Sequence, residues 1–136
     1  MVAVAAIRSV GVADRDRGRY AAIGQSARDA LRSTLDAETG VRGYLLTGDR
    51  EVVVPYHRGI TGLDTSLPEL ERHLAGRHAE ALRELRALIT AIRGNLATSL
   101  VLYRAGAPMG VVAPLTEQGH QRMERARVIV EGIMAT

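Results

Sequence analysis

The 136-residue sequence contains no cysteine, no tryptophan and no phenylalanine, and its only aromatic residues of the Phe, Trp and Tyr class are four tyrosines. The absence of cysteine excludes disulfides, thiol catalysis and cysteine metal sites. With so few aromatic side chains the core must consist of Leu, Val, Ile and Ala, a composition that suits closely packed helices. No run of about 20 apolar residues is present, so the sequence predicts no transmembrane helix within it.

Lysine is also absent, because all 18 basic residues are arginine. They are opposed by 15 acidic residues, and the net charge is +3 with a pI of about 9.9. Acids and bases alternate along the chain, as between residues 117 and 131, where the simplest interpretation is a solvated face and a dimer interface is the alternative. A nucleic-acid binder would need a one-sided arginine stripe, so no nucleic-acid partner is expected.

The length fits one domain with a substantial core. Residues 20–136 are predicted to form that domain, and residues 1–19 an N-terminal extension or the membrane-proximal start of the first helix. The apolar segment from Met1 to Ala6 is too short for a signal peptide, since Arg8 follows it and no charged front precedes it. It is interpreted as an artificial start or as the trimmed end of a membrane helix.

Apolar residues recur at alternating steps of three and four in four segments, which predicts four amphipathic helices and no strand. The inward seam of the first helix, which ends near Thr47, comprises Ile23, Ala27, Ala30, Thr34, Ala37, Val41 and Tyr44. The second seam comprises Val53, Tyr56, Ile60, Leu63, Leu67, Leu70 and Leu74. The third comprises Leu82, Leu85, Ile89, Ile92, Leu96, Ser99 and Tyr103. The fourth comprises Val112, Gly119, Met123, Ala126, Val130 and Ile133.

Short turns between these segments predict an all-α, antiparallel up-down-up-down four-helix bundle with a long first helix. The first helix would then start, and the last helix finish, at the same end of the bundle. Pro68 interrupts the hydrogen-bonding pattern of the second helix, and Ser66 with Glu69 forms a capping box around it. A kink or brief break is therefore expected between residues 62 and 68. The last helix is expected to begin between Val111 and Leu115.

The stretch from Asp36 to Tyr56, DAETGVRGYLLTGDREVVVPY, has the most unusual residue choices. Glu38 and Arg42 lie four apart with the acid first, the favourable order for a helix pair, and the preferred interpretation is a structural pair that holds the following turn. Gly40 and Gly43 are poor helix formers that are expected to admit a neighbouring helix. Gly48 and Asp49 form a left-handed stop followed by a helix N-cap.

This stretch resembles the signature of the CHASE domain, type 3, through ETG-x-RGYLLTGD and the later Pro55-Tyr56. A second, weaker resemblance lies in the last helix, at Gly119, Met123 with Glu124, and Arg127. Together the two matches bracket roughly residues 25–134. The family positions carried over to this sequence are Glu38, Thr39, Gly40, Arg42, Gly43, Tyr44, Gly48 and Tyr56, with Gly119, Met123 and Arg127 in the closing helix.

The resemblance implies an extracytoplasmic sensory domain of a bacterial transmembrane signalling protein, anchored in the inner or cytoplasmic membrane. The expected parent is a two-component sensor histidine kinase, with a diguanylate cyclase, an adenylate cyclase or a chemoreceptor as alternatives. The domain itself is expected to be non-enzymatic, to bind no cofactor, and to form a homodimer through its first or last helix. The carried-over residues would be structural or would form a ligand or signal site.

Two other functions are alternatives to this one. A soluble cytosolic helical bundle would act as an adaptor or interaction module. A ligand-binding receptor domain would have a cavity lined by Glu38, Arg42, Tyr44 or Tyr56 in place of a filled core. A metal site would require ligand spacing that His73 and His78, five residues apart across Gly76, do not have, so no metal is expected.

Overall fold

The computed structural model describes the backbone of residues 2–135 and the side chains of residues 15–135. Nearly all of the described backbone is helical. The helices are α1 (Val2–Thr47), α2 (Val54–Leu74), α3 (Ala79–Arg104) and α4 (Met109–Met134), with a short 3₁₀ helix, Arg50–Val53, ahead of α2. No strand occurs between residues 2 and 135. The predicted all-α class is therefore confirmed.

The predicted seams form the core. Every seam residue of α1 and of α4 is buried, and so are six of the seven in α3, where Tyr103 is half-buried. In α2 the seam is buried at four positions and half-buried at Tyr56, Ile60 and Leu67. The apolar side chains form two clusters, one toward the start of α1 and the other toward its end. Periodicity alone was enough to identify the inward faces because each helix has one apolar stripe.

Helices α1 and α2 are antiparallel and approach each other closely. A β-carbon added at Gly40 would meet the backbone of Tyr56, and one added at Gly59 would meet the backbone of Ser33 and Ala37. As the residue number rises along α1, the number of the α2 residue in contact with it falls. Residues without side-chain bulk therefore set the distance between these two helix axes.

The remaining neighbours are antiparallel as well. Helix α3 forms ion pairs with α2, of which Arg93–Asp64 at 2.8 Å lies about two turns from the pair between Arg86 and Glu71. Helix α4 is tied to α3 by Arg125 and Glu84, whose Nε and Oε1 atoms are 2.8 Å apart. All of these side chains are more than a third exposed, so they fix orientation more than they stabilise the fold.

Helices α1 and α4 meet where α4 ends. The hydroxyl of Tyr20 donates a 2.7 Å hydrogen bond to the backbone carbonyl of Met134. Helix α1 has 46 residues, and residues 2–19 therefore continue it for about 27 Å beyond this contact. Helix α4 therefore ends beside Tyr20, at the end of the bundle where α1 enters it. What was predicted for the side chains of Met1 to Ala6 lies outside the described residues.

The break expected near Pro68 is absent. Helix α2 is continuous from Val54 to Leu74 with Pro68 inside it. Pro68 and Asp64, whose carbonyl would have accepted the missing hydrogen bond, are both exposed, so water can satisfy that carbonyl. The expected capping box is wrong for the same reason, because Ser66 is a buried mid-helix residue instead of an N-cap.

The turn between α2 and α3 has an unusual backbone. Ala75 and His78 have positive φ angles of 51° and 54°, and Gly76 has a φ of 85°. A left-handed conformation costs a non-glycine residue roughly 1–2 kcal/mol. The turn therefore holds two residues in a conformation that is favourable only at the glycine between them.

Helix α3 is long and apolar enough to cross a membrane by length and mean hydropathy, and no other helix of the described residues meets that test. The sequence prediction did not single it out. The core helix of a packed domain passes the same test, and the seam of α3 is buried against the other helices. Its ion pairs with α2 also favour a place in the bundle.

Candidate functional site

The Asp36–Tyr56 stretch lies at the end of the bundle opposite to Tyr20 and Met134. Gly48 has a φ of 69°, and its amide donates a 2.7 Å hydrogen bond to the carbonyl of Tyr44, which ends α1. The Asp49 carboxylate accepts a 2.9 Å hydrogen bond from the amide of Glu51. Asp49 thus caps the 3₁₀ helix. If Asp49 capped α2 directly, α2 would start at Arg50, but it starts four residues later, at Val54.

The two glycines of the stretch are both in close contact. A β-carbon at Gly40 would lie 2.5 Å from the backbone nitrogen of Tyr56, and one at Gly43 would overlap the side chain of Val52. Gly40 therefore admits α2, as expected, whereas Gly43 admits the 3₁₀ helix that precedes α2. These contacts give both glycines a structural role in holding the turn against α1.

An aromatic pair closes this end of the bundle. Tyr44 is buried and meets Tyr103 edge to face, with ring centroids 5.1 Å apart. The guanidinium carbon of Arg104 lies 5.6 Å from the Tyr44 ring centroid, a cation–π contact. Tyr44 also lines a shallow groove of about 400 Å³ with Val53, Arg50 and Arg104. The end of α3 thus joins the family stretch, although only the seam position of Tyr103 indicated this in the sequence.

The expected pair between Glu38 and Arg42 does not form. Glu38 is 4% exposed and its Oε1 atom lies 3.6 Å from Nδ1 of His120 on α4, whereas Arg42 is exposed on α1. The other oxygen of Glu38, Oε2, is buried and has no hydrogen-bond partner. Glu38 is adjacent to the buried seam residue Ala37 and therefore faces the interior. Arg42, four residues later, lies farther around the helix axis and faces solvent.

Half of the side chain of His120 on α4 is exposed. Its role toward Glu38 could not be found from spacing, since the two residues are 82 positions apart in the chain. The local indication in the sequence was that the polar residue His120 follows Gly119, a predicted inward position of α4. A contact between distant helices becomes visible only after the helices are packed.

The closing-helix residues have different environments. Gly119 is buried, yet a β-carbon added there would have no atom within 4 Å. Met123 is 3% exposed and belongs to the core, whereas Arg127 is exposed and lies 3.8 Å from the Glu124 carboxylate. Thr39 of the first stretch is exposed as well. The carried-over residues therefore divide into core, close-contact and solvent-facing positions and do not form one convergent site.

Metal chemistry finds no support in the part of the chain whose side chains are described. No group of three or more His, Cys, Asp or Glu residues there is arranged to hold a metal ion. His57 packs edge to face on Tyr56, with ring centroids 5.1 Å apart. His57 and His120 thus take part in separate contacts.

The arrangement is a close-packed bundle in which α4 ends beside Tyr20 and residues 2–19 of α1 extend beyond it from the same end. The profile of the CHASE3 domain family matches residues 14–136. The chain belongs to the CHASE3 domain family. CHASE3 domains are extracytoplasmic sensory domains of signalling receptors, and the match covers nearly the whole chain, eleven residues earlier than the quoted motifs reach. No curated protein and no solved structure matches the chain.

Proposed function

We propose that this CHASE3 domain is the signal-input domain of a bacterial transmembrane histidine kinase, located outside the cytoplasm. The observation that carries the proposal is that α4 ends beside Tyr20, at the end of the bundle from which residues 2–19 of α1 extend. A domain placed between two membrane spans needs both of its ends on one side. A nucleotide cyclase or a chemoreceptor has the same requirement, so these remain the alternative output domains.

The proposed mechanism is a movement of α4 relative to α1. Helix α1 packs mainly against α2, and α3 mainly against α4, with fewer contacts between the two pairs. The weaker boundary is therefore the one between the pairs, where α1 meets α4. Packed helices tend to move between discrete arrangements by about 1–2 Å. Such a movement would pass from that boundary toward the membrane along residues 2–19 of α1 and through the end of α4.

Signalling would also require a dimer, which we place on the face shared by α1 and α4. Leu35 and Val128 are 46% and 54% exposed, a large fraction for apolar side chains. A groove of about 390 Å³ runs along this face, with Met123 and Val130 at its floor and arginines and Glu131 at its edges. A second copy of the chain would cover these apolar groups and place the acid and the arginines within pairing distance.

Cysteine labelling of the full-length protein in intact cells tests the location. The 136 residues contain no cysteine, so Arg50→Cys in the exposed distal turn gives this domain one reactive thiol, and any cysteine elsewhere in the full-length protein is first replaced by serine. We expect a membrane-impermeant maleimide to label it before lysis. Labelling only after lysis would refute the extracytoplasmic location and favour the cytosolic adaptor bundle. Ser66→Cys is the matched control, because Ser66 is buried and should react only after denaturation in either case.

Oxidative crosslinking in native membranes tests the dimer. Single cysteines in place of Leu35 and Val128 should form disulfide-linked dimers under mild oxidation. A cysteine in place of Thr90, which is exposed on α3, should not form such disulfide-linked dimers. Crosslinking of the Thr90 variant at the same rate would show that the chosen face is wrong, whatever the outcome of the labelling experiment.

A further inference from the structure

A cavity of about 180 Å³ lies at the end of the bundle where α4 ends beside Tyr20, far from the family stretch. Three elements enclose it: the part of α1 that follows Tyr20, the turn after α2, and the last turn of α4. Its apolar wall is formed mainly by Ile23, Leu74, Ile133 and Met134. An apolar cavity of about 150 Å³ is large enough to hold benzene.

The polar part of the lining is cationic. Arg28 and Arg77 contribute to it, and none of the lining residues is an aspartate or a glutamate. The guanidinium of Arg28 lies over Gly24, its Nη1 atom 3.2 Å from the position of an added β-carbon. Nε of Arg77 donates a 3.4 Å hydrogen bond to the Leu74 carbonyl. Among the described residues, no carboxylate forms an ion pair with either arginine.

An apolar chamber with two uncompensated guanidinium groups is complementary to one kind of small molecule. Guanidinium groups bind carboxylates by charge-assisted and often bidentate hydrogen bonds. A pocket of this kind combines a mostly apolar wall with a few polar groups that orient the ligand. We propose that the cavity binds a small monocarboxylate with a compact aromatic or branched apolar body, of the size of benzoate or phenylacetate.

The position of the cavity indicates what binding would do. A ligand there would contact α1, α4 and the α2–α3 turn together, beside the Tyr20–Met134 hydrogen bond. It would thus favour one arrangement of the two chain ends over another. This consequence for signalling rests on the proposed function, whereas binding itself is a property of the purified chain and is tested without it.

Isothermal titration calorimetry of the purified 136-residue chain with benzoate and phenylacetate tests the proposal. Arg28→Gln and Arg77→Gln should each weaken binding at least about tenfold, because each removes a charged hydrogen-bond donor. Arg32→Gln is the matched control. It removes an arginine one turn along α1 that does not line the cavity, and it should leave the affinity unchanged.

Filling the chamber provides a second arm. Gly24→Ala places a β-carbon against the Arg28 guanidinium and should weaken binding while the helix gains stability, since alanine favours a helix more than glycine does. Loss of binding in a more stable protein cannot arise from unfolding. In methyl NMR spectra, the ring current of bound benzoate should shift Ile133, Leu74 and Met134 and spare the opposite end of the bundle.

Three results would overturn the proposal. The first is the absence of heat and of methyl shifts at millimolar benzoate and phenylacetate. The second is equal affinity for benzamide, a neutral molecule of the same shape, which would exclude recognition of the carboxylate. The third is an Arg32→Gln variant that loses as much affinity as the two cavity variants, which would indicate general charge attraction.

Discussion

Replacing Gly59 by alanine should destabilise the protein, although alanine is the better helix former. Gly59 lies in α2 against α1, where an added β-carbon would sit 2.8 Å from the backbone nitrogen of Ala37 and 3.0 Å from its Cβ atom. It would be closer still to the carbonyl oxygen of Ser33. These are backbone atoms of a continuous helix, so no side-chain rotation can relieve the overlap.

The two opposing effects can be compared in size. Removing a mid-helix glycine gains about 1 kcal/mol in helix propensity. Restoring ordinary van der Waals contact requires α2 to move away by roughly 0.5–1 Å, and overpacking of a close contact typically costs about 1–3 kcal/mol. The loss of packing also spreads along the interface, because Gly62 of α2 lies against Ser33 and Gly40 of α1 lies against Tyr56 in the same contact between α1 and α2. The difference between these figures is about 0–2 kcal/mol, and a net decrease in the free energy of unfolding near the upper end of that range is expected because the overlap involves backbone atoms.

Urea denaturation followed by far-ultraviolet circular dichroism measures this free energy. Gly94→Ala is the matched control, because Gly94 is exposed in the middle of α3 and an added β-carbon there would meet nothing within 4 Å. The control should gain about 0.5–1 kcal/mol. In melting temperature, the two variants should move in opposite directions by a few degrees, at about 3–5 °C per kcal/mol for a domain of this size.

Equal stabilisation by the two substitutions would refute the reasoning. It would show that α1 and α2 are not held at the distance that the backbone contacts at Gly59 indicate. A destabilised Gly94→Ala variant would point instead to an error in the assignment of α3 as an undistorted helix.

Three other substitutions should change stability in the same urea assay. Ala75→Gly should raise the free energy of unfolding by about 0.5–1 kcal/mol, since Ala75 has a positive φ. Ala87→Gly, at an exposed position of α3, should lower it by about as much. A change of the same sign in both variants would contradict this prediction. Pro68→Ala should raise it by roughly 1–3 kcal/mol by restoring a helix hydrogen bond, and an unchanged midpoint would show that α2 already tolerates the proline at no cost. His120→Ala should lower it by about 1 kcal/mol, because the Glu38 carboxylate, whose Oε2 already lacks a partner, would also lose the imidazole 3.6 Å from its Oε1.

The helices and their inward faces could be predicted from the sequence because both depend on local periodicity. The seam of α1 from Ile23 to Tyr44 is buried throughout. The break at Pro68 was wrong because Pro68 and Asp64 are exposed, so water can satisfy the carbonyl that loses its helix hydrogen bond, and exposure is a property of the packed bundle.

The candidate site was less predictable. The close contacts of Gly40 and Gly43 followed from their poor helix propensity, but the partner of Glu38 did not follow from its spacing to Arg42. Short-range spacing describes one helix, whereas Glu38 pairs with a residue on α4. The cavity beside Arg28 could not be predicted, because its walls come from three segments that only the fold brings together.

The uninterrupted course of α1 gives the domain a lever arm. Residues 2–19 extend about 27 Å beyond the contact between Tyr20 and Met134 without a joint. A tilt of about 4° at Tyr20 would therefore displace the far end of the helix by roughly 2 Å, as large as the shifts by which packed helices switch. A rearrangement too small to disturb the core would thus produce a larger displacement at the far end of α1. The face of α1 on which the rearrangement acts would set the direction of that displacement.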